Sequence, residues 1–549
     1  MSRRAILITF ALLFFGLIST GAPAAPAQEN VEARFDLADP AGGPFPSDRF
    51  TVSDSSQLTG VRIKLPKPDC SVQPSDCSDI DVLNTLDGFN MQPRLSIPFT
   101  SAIDPATVTS DTVFLFKLSC LISTCPGDSR IGINQVVWDP ATNTLYAESD
   151  GLLDQDARYL LVVTNGVRDP SGERIDANQF RDVLHAGETN DPSETAYRQA
   201  LLAALDQLTD STGMPPGQVA VASIFTTESA TAVMEKIRDQ LADAAPTPVD
   251  FLLGTNGERT VFPLADVVSI TWRRQETTAP SFASVSVPLA MLRTVPGAIP
   301  AIDGTIGRIA FGKYRSPDYE TANGVIPAVG TLTGTPAVQR TNDVYFNLYL
   351  PSGPEPASGW PVVITGHGAG DNKNTGNAPV AIAATLAEHG LATIAINVVG
   401  HGGGPLGTLT VTKTDTSTVT LPAGGRNIDR NGNGVFDQPA GSLPEAFYTT
   451  PASPEAILFT RDGIRQTVVD LMQLVREIQV GVDVDGDGVP DIIQRTVTVA
   501  MDVDGDGVPD IVERITATGI DLNHDGTIDE NEIEVEAELA VRKDLLEED

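Results

Sequence analysis

Hydrophobic residues between positions 80 and 180 occur in short runs that Asp, Pro, Gly and Asn residues separate. Val113, Leu115 and Leu118 lie near alternating spacing. Further short apolar or β-branched runs cover residues 136–138, 144–147 and 159–163. Because neighbouring side chains of a strand point to opposite faces of a sheet, this pattern predicts a β-sandwich of short strands over residues 80–190. Residues 28–79, rich in Pro, Asp and Ser, predict an extended lead-in.

After residue 190 the hydrophobic residues recur at the spacing of a helix. A helix over residues 193–210 places four apolar residues on one face, namely Ala200, Leu201, Ala204 and Leu208. A second helix is predicted over residues 228–244. Together these helices predict a helical connector over residues 191–255.

Strand and helix patterns alternate in residues 256–480. Apolar runs at 344–350, 362–365 and 391–398 predict strands, and residues 379–389 predict a helix between the last two. Strand, helix and strand at this spacing predict a βαβ unit and therefore a parallel sheet. A long helix over residues 461–478 follows from the helical recurrence of Ile464, Val468, Leu471, Val475 and Ile478.

The charge balance narrows the classes of partner. The chain has 549 residues, with 72 Asp and Glu against 36 Lys and Arg, and a formal net charge of −36. Binding to phosphate backbones needs clustered positive charge, so this composition excludes nucleic acid as a partner. It favours cations as ligands. The length predicts several domains.

The first residues predict export. Arg3 and Arg4 precede an apolar run over residues 5–18, and Ala-x-Ala steps follow at 22–24 and 25–27. This is the layout of a secretory signal peptide over residues 1–27, which predicts a secreted, periplasmic or cell-surface protein. An uncleaved membrane anchor is the alternative, but the run is shorter than the roughly 20 residues that span a bilayer. No later run is long enough to do so.

Four cysteines, Cys70, Cys77, Cys120 and Cys125, form an even set in a chain with an export signal. Such a set predicts disulfides. Short loops favour the pairs Cys70–Cys77 and Cys120–Cys125, although four cysteines allow three pairings. Metal binding by these thiols is the weaker alternative, because the region offers no histidine ligand.

Residues 481–549 contain three Asp-x-Asp/Asn-x-Asp-Gly loops, whose first residues are 483, 502 and 521. The predicted ligands of the first loop are Asp483, Asp485, Asp487, Val489 and Asp491. Those of the second are Asp502, Asp504, Asp506, Val508, Asp510 and Glu513. Those of the third are Asp521, Asn523, Asp525, Thr527, Asp529 and Glu532. A fourth candidate loop lies earlier, with Asp429, Asn431, Asn433, Val435 and Asp437.

These loops match the chemistry of Ca²⁺, a hard cation that takes six to eight oxygen ligands. Positions 1, 3 and 5 supply side-chain oxygens, position 6 is a glycine that permits the sharp turn, and position 7 supplies a backbone carbonyl. The first loop has Gln494 at position 12, where a bidentate Glu is expected, so it predicts weaker binding. The alternative is a solvated acidic tail without a bound ion.

Parts of the chain resemble known domain types. The segments PRLSIPFTSAIDPATVTSDTVFLF and YLLVVTNGVRDPSGERI resemble a bacterial Ig-like domain. The segment VAVASIFTTESATAVMEKIRDQL resembles the N-terminal domain of bacterial extracellular lipases of the virulence-factor type. The C-terminal array is similar to EF-hand, thrombospondin type 3 or dockerin-like calcium repeats. The connectors between its loops are too short for paired EF-hand helices.

The segments WPVVITGHGAG and LATIAINVVGHGGGP resemble the start of an α/β-hydrolase sheet. In that family the His-Gly turn after the earlier strand builds the oxyanion hole. The resemblance gives that role to His367 and Gly368, with the backbone N–H of Ala369 as a candidate donor. The run from His401 to Gly404 spells the other oxyanion motif, but it lies one βαβ unit later. Residues 403–452 lie where members of that family commonly have a lid-like insertion.

The resemblance ends before the chemical half of a hydrolase. No serine has glycine at both flanking positions of Gly-x-Ser-x-Gly, and beyond residue 480 the sequence has a single histidine, His524, inside a calcium loop. The sequence therefore predicts a secreted calcium-binding relative of lipases or esterases, truncated or inactive alone, with a lipid or ester as the possible substrate. The alternatives are a non-catalytic extracellular calcium-binding structural or adhesion protein and a dockerin-like partner module.

Overall fold

The computed structural model describes residues 30–120, 130–185, 191–356, 359–368, 370–375, 379–429, 434–436 and 456–492, and the backbone of three strands after residue 497. The predicted signal segment 1–27 and nearly all of the second and third calcium loops lie outside these residues. So does Cys125, and with it the predicted pair Cys120–Cys125.

The secondary structure is mixed. The helices are α1 (Pro74–Leu83), α2 (Asn178–His185), α3 (Pro192–Thr212), α4 (Ala232–Asp243), α5 (Leu289–Arg293), α6 (Val380–Glu388) and α7 (Ala456–Val480). The strands are β1 (Thr51–Ser53), β2 (Val61–Ile63), β3 (Leu95–Pro98), β4 (Val113–Cys120), β5 (Arg130–Ile131), β6 (Ile133–Asp139), β7 (Thr144–Ser149), β8 (Ala157–Thr164), β9 (Val219–Thr226), β10 (Val261–Pro263), β11 (Val267–Gln275), β12 (Phe282–Ser286), β13 (Ile306–Asp318), β14 (Arg340–Pro351), β15 (Val362–Ile364), β16 (Ala392–Ile396), β17 (Thr408–Lys413), β18 (Thr418–Pro422), β19 (Thr498–Met501), β20 (Ile511–Arg514) and β21 (Glu538–Val541).

The chain divides into two compact units, and the first comprises Met1–Arg49 and Asn90–Thr227. Its strands form two antiparallel sheets, in the orders β3-β7-β6 and β5-β4-β8-β9. Every residue of β9 is buried. α3 contacts β9 and β4 through the apolar face predicted from the sequence, where Leu201, Ala204 and Leu208 are buried. Asp191 caps the start of α3 by accepting from the Ser193 N–H at 2.8 Å.

The second unit comprises Phe50–Phe89 and Glu228–Asp549. Its central sheet has the order β10-β13-β14-β16-β15, and a second, antiparallel sheet has the order β12-β11-β17-β18. The β17–β18 hairpin falls within the predicted insertion 403–452. Cys70 and Cys77 form the predicted disulfide, with an S–S distance of 1.97 Å.

The predicted strand–helix–strand segment is present as β15, α6 and β16, and its two strands pair in parallel. The rest of the predicted parallel sheet is different, because β16 pairs with β14 in the antiparallel direction and β13 pairs with β14 likewise. The central sheet is therefore mixed. A crossover helix imposes a parallel pairing only on the strands that it connects, and the β13–β14 pairing is antiparallel.

The central sheet is covered on both faces, as the side-chain alternation along its strands requires. Ile309, Phe311 and Tyr349 belong to a core with α5, α6 and the second sheet. Ala310 and Leu348 face the opposite core, which contains Leu474 and Ile478 of α7. None of the helices in the described part of the chain combines the length and the apolar character that crossing a bilayer requires.

The predicted helix over residues 461–478 is present as α7, but only part of its predicted apolar face is buried. Of the five residues that predicted this helix, Ile464, Val468 and Val475 are 49%, 40% and 36% exposed. Beside the buried apolar residues Val469, Leu474 and Ile478, the buried face carries carboxylates and amides, namely Asp462, Gln466, Asp470, Gln473 and Glu477. Periodicity scores apolar residues only, so it predicted the helix but could not show that polar side chains with partners elsewhere in the fold occupy part of its buried face.

Asp470 is the centre of this polar face. Its carboxylate is completely buried and accepts from Arg426 at 2.6 Å, from the Ser316 hydroxyl at 2.7 Å and from Gln466 at 3.0 Å. Burial raises the pKa of Asp470, and the guanidinium of Arg426 opposes this rise. Arg426 also donates to the Asn397 carbonyl at 3.0 Å, so the pair joins α7 to the chain that follows β16.

We predict that Arg426→Met destabilises the second unit by about 3–5 kcal/mol, because it leaves the Asp470 carboxylate buried without its counter-ion. The control is Arg315→Met, since Arg315 is more than half exposed and lies 3.9 Å from Asp343. Loss of that surface pair should cost no more than about 1 kcal/mol. Urea unfolding followed by tryptophan fluorescence measures both changes, and equal losses in the two variants would contradict the prediction.

Candidate functional site

The first acidic loop begins where α7 ends. Gly481 has a φ of +101° and donates to the carbonyls of Glu477 and Ile478 at 3.1 and 3.2 Å, which ends the helix. A Cβ at this position would lie 2.7 Å from Pro490, so the close return of the chain requires glycine. Val482 then pairs with Ile492, and this bridge closes residues 483–491 into a loop.

Three of the predicted ligands converge inside this loop. One carboxylate oxygen each from Asp483, Asp485 and Asp491 lies within 4.8 Å of the others. Asp483 accepts from the N–H groups of Gly486 and Gly488 at 2.5 and 3.0 Å, and Gly488 turns with a φ of +93° as the motif predicts. Asp491 is buried and accepts from the Val484 N–H at 2.6 Å.

The site concentrates negative charge. Arg308 of β13 lies 3.4 Å from both Asp485 and Asp491, and it is the single positive group paired with these three carboxylates in the described part of the chain. Glu355 also faces the cluster. Partial burial and hydrogen-bond contact with Asp491 raise the pKa of Glu355 to about 7. A cation bound among these oxygens would offset that repulsion.

Asp487 and Val489 do not join the converging set. The Asp487 carboxylate accepts from the Val489 N–H at 2.8 Å, and Val489 is half exposed. The structure therefore brings together loop positions 1, 3 and 9. The spacing of the motif did not distinguish these positions from position 5.

The remaining calcium predictions fall largely outside the described residues. This applies to Asp502, Asp504, Asp506, Val508, Asp510, Asp521, Asn523, Asp525, Thr527, Asp529 and Glu532, and to Asn431, Asn433 and Asp437 of the fourth loop. The backbone of Glu513 lies in β20. Asp429 accepts from the Gly434 N–H at 2.8 Å, and its other oxygen, Oδ1, is shielded from solvent without a hydrogen-bond partner in the described part of the chain.

The two predicted His-Gly turns lie at the carboxyl ends of β15 and β16, and their histidines contact each other. The ring centroids of His367 and His401 are 5.1 Å apart. His367 Nε2 accepts from the Val398 N–H at 3.1 Å, and His401 Nε2 accepts from the Gly370 N–H at 3.1 Å. Each imidazole therefore binds the backbone of the other turn, and burial lowers the pKa of both rings.

This arrangement limits which N–H groups could bind an oxyanion. The Gly370 N–H is occupied by His401, and in the second turn the N–H groups of Gly403 and Gly404 bind Asn427 and Gln275 at 3.2 and 3.0 Å. Gly368 is exposed, with open space around its Cα. Ala369, the predicted donor, lies outside the described residues.

A buried lysine close to these turns had no signal in the sequence. Lys373 is 1% exposed, and its Nζ donates to Asn347 Oδ1 and the Ala423 carbonyl at 2.9 Å each. Burial lowers the pKa of Lys373 to about 7. The oxygen atoms that accept from Lys373 belong to amide groups. In a sequence, a lysine surrounded by Asn residues is typical of a surface loop.

A separate cleft of about 460 Å³ lies in the second unit. It is lined by residues of α4, β13, β14 and α7 and of the segments next to them, including Gln240, Arg315, Tyr319 and Gln473. None of the predicted catalytic or metal-binding residues that the structure describes lines this cleft.

The comparisons with known proteins identify no family for this chain. No family model matches the chain, and no curated protein matches it. Among solved structures, the chain is similar to the crystal structure of the S-layer protein rSbsC, with 10% sequence identity and a TM-score of 0.15. The alignment covers 65% of this chain and spans 57% of that chain. A TM-score this low does not establish a shared fold.

We predict that Lys373 makes stability rise with pH between about 7 and its ordinary pKa of 10.5. In that interval the unfolded chain binds the proton that the folded chain has lost, so raising the pH favours folding by up to about 1.4 kcal/mol per pH unit. Urea midpoints across this range measure the slope. Lys373→Met should flatten it, whereas the exposed Lys64→Met should leave it unchanged; the same slope in both variants would refute this role of Lys373.

Proposed function

We propose that this chain is an extracellular calcium-binding protein and that the loop over residues 483–491 holds one of its calcium ions. The convergence of the Asp483, Asp485 and Asp491 oxygens within 4.8 Å carries the proposal. The donor set consists of oxygen atoms, without histidine or cysteine, which suits a hard cation rather than zinc. The remaining ligands of a six- to eight-coordinate site would come from backbone carbonyls and water.

The loop is attached to the core, so binding would stabilise more than the loop. Val482, Val484 and Ile492 are buried in the core that α7 shares with the central sheet. Arg259 donates to the Val484 carbonyl at 2.6 Å, and the Trp360 N–H donates to the Asp491 carbonyl at 2.8 Å. A cation that binds only the folded loop would therefore raise the stability of the second unit by mass action.

Secretion and further calcium sites belong to the same proposal. The signal-like residues 1–27 would direct export, and the loops beginning at Asp502 and Asp521 would bind calcium through the same motif. The disulfide Cys70–Cys77 supports an oxidising compartment. The predicted Ig-like region, the acidic repeats and the absence of a Gly-x-Ser-x-Gly serine favour a structural or adhesive role outside the cytoplasm.

A lipase- or esterase-like origin is the second candidate, with an Ig-like first unit and a partial α/β-hydrolase second unit. The specific observation in its favour is the β15–α6–β16 unit, with a His-Gly turn at the carboxyl end of each parallel strand. Ligands of open α/β sheets bind at such ends. An ester or lipid would be the substrate, but an oxyanion turn without a nucleophile gives weak catalysis at best. A dockerin-like partner role for the C-terminal repeats has no observation in its favour.

We predict that terbium, used as a luminescent substitute for calcium, binds the full-length chain and is displaced by calcium. Trp360 contacts the loop, so excitation of tryptophan should sensitise emission from terbium in this loop, and Trp360→Phe should reduce that emission. Asp485→Asn should lower the affinity of this loop for terbium, measured from the calcium-displaceable signal, at least about tenfold. The reason is that this substitution removes one of three converging carboxylates.

The matched control is Asp487→Asn, which removes the same charge two residues away from a carboxylate outside the converging set. A smaller effect of this control would support the geometry of the loop. Equal losses in the two Asn variants would indicate a diffuse charge effect. The proposed site would be contradicted if the chain gave no terbium emission that calcium displaces and that Trp360→Phe reduces.

We predict that a fluorophosphonate probe does not label the folded, calcium-loaded chain, because no Gly-x-Ser-x-Gly motif is present. A secreted serine esterase labelled in parallel serves as the positive control. Calcium-dependent labelling at a single serine would overturn the non-catalytic reading, and the labelled residue would identify the nucleophile.

A further inference from the structure

We propose that His367 and His401 form a proton-operated latch, which holds the turns after β15 and β16 together at neutral pH and releases both turns in acid. This inference is independent of calcium binding and of any hydrolase activity. It rests on the reciprocal hydrogen bonds between the two turns.

The hydrogen bonds fix the protonation state of each ring. A backbone N–H can only donate, so His367 Nε2, which lies 3.1 Å from the Val398 N–H, must be an unprotonated acceptor. The same holds for His401 Nε2 and the Gly370 N–H. The proton of each neutral ring then lies on Nδ1, and each Nδ1 is near a carbonyl, that of Gly368 at 3.0 Å or that of Val399 at 3.1 Å.

Protonation is incompatible with this arrangement. A proton added to Nε2 would face the N–H that the nitrogen now accepts from, and both bonds between the turns would be lost. If both rings were charged, two imidazolium ions would lie with their centroids 5.1 Å apart in a partly desolvated site. Separation of the turns relieves both conflicts at once, because each ring then reaches water.

The charged groups around the pair act on the two rings in both directions. His367 faces Asp371 and Lys373, and His401 faces His367, Asp371 and Arg426. Asp371 is the one carboxylate among these neighbours and favours protonation, whereas Lys373 and Arg426 oppose it. Burial is the largest influence on both rings and lowers the pKa of each.

The direction of the pH effect follows from the lowered pKa values. Between the ordinary histidine pKa of about 6.5 and the lower pKa of the closed form, the open form binds more protons. The closed form is therefore fully favoured above about pH 6.5 and loses stability as the pH falls below that value. Because both rings take up a proton on opening, the number of protons bound in the transition approaches two.

Release would be local. The strands β15 and β16 keep their own parallel ladder. The second turn is also held by bonds without titrating acceptors, since the Val399 N–H donates to Thr467 at 3.1 Å and the Arg426 N–H donates to the His401 carbonyl at 2.8 Å. The turn after His367 gains the most freedom, because the Gly370 N–H loses its hydrogen bond to His401.

Hydrogen–deuterium exchange of the full-length chain tests the latch. Peptides that cover the two turns are followed between pH 7.5 and pH 5, with exchange corrected for the intrinsic pH dependence of the rate. We expect at least a tenfold acceleration at the lower pH, with one midpoint shared by both turns. Corrected exchange that is independent of pH, or separate midpoints for the two turns, would overturn the proposal.

His401→Gln provides a non-titrating side chain whose amide oxygen can still accept from the Gly370 N–H. In this variant we expect the steepness of the transition to fall from nearly two protons to one. His389→Gln, at an exposed histidine after α6, is the matched control and should leave the transition unchanged. If both variants behave like the unsubstituted chain, His401 is not part of a latch.

A second measurement needs no substitution and so does not depend on the folding of a variant. Exchange of the imidazole C2 proton, followed by mass spectrometry of the unsubstituted chain, reports the titration of each histidine. The latch requires midpoints for His367 and His401 below the ordinary value of about 6.5. A midpoint at or above that value for either ring would exclude it.

Discussion

The second unit depends on the burial of charged and amide side chains along one face of α7. Asp470 is completely buried, and its partners come from β13, from the helix itself and from the chain that follows β18. Removing a carboxylate from water is costly unless it keeps hydrogen bonds and a counter-ion, so these partners must be in place together. The same constraint positions Arg426, which continues the network to Asn397 and thereby to the buried Lys373.

β15 connects the two candidate sites, although it is only three residues long. Trp360, just before the strand, binds the acidic loop through the Asp491 carbonyl, and His367, just after it, binds the turn that follows β16. Both sites use the same construction. Local glycines permit a tight turn, and a few distant residues supply the contacts that fix it.

Local features of this fold could be read from the sequence, whereas long-range pairings could not. The apolar face of α3, the β15–α6–β16 segment and the disulfide Cys70–Cys77 depend on residues close in sequence. The antiparallel pairing of β16 with β14, the polar face of α7 and the burial of Lys373 depend on partners far along the chain. Within the acidic loop, the motif identified Asp483, Asp485 and Asp491 but gave no reason to separate Asp487 from them.

The exposed aliphatic residues of α7 and the acidity of the chain act in opposite directions on self-association. Ile464, Val468 and Val475 form a stripe along one side of the helix, continuous with the partly buried Leu471. Two copies could bury this stripe against each other, but each copy carries a formal net charge of −36. Mutual repulsion opposes that association, and salt shortens the range of this repulsion to about 8 Å at physiological ionic strength. The high acidity of the chain thus favours colloidal stability, which bound divalent cations would weaken.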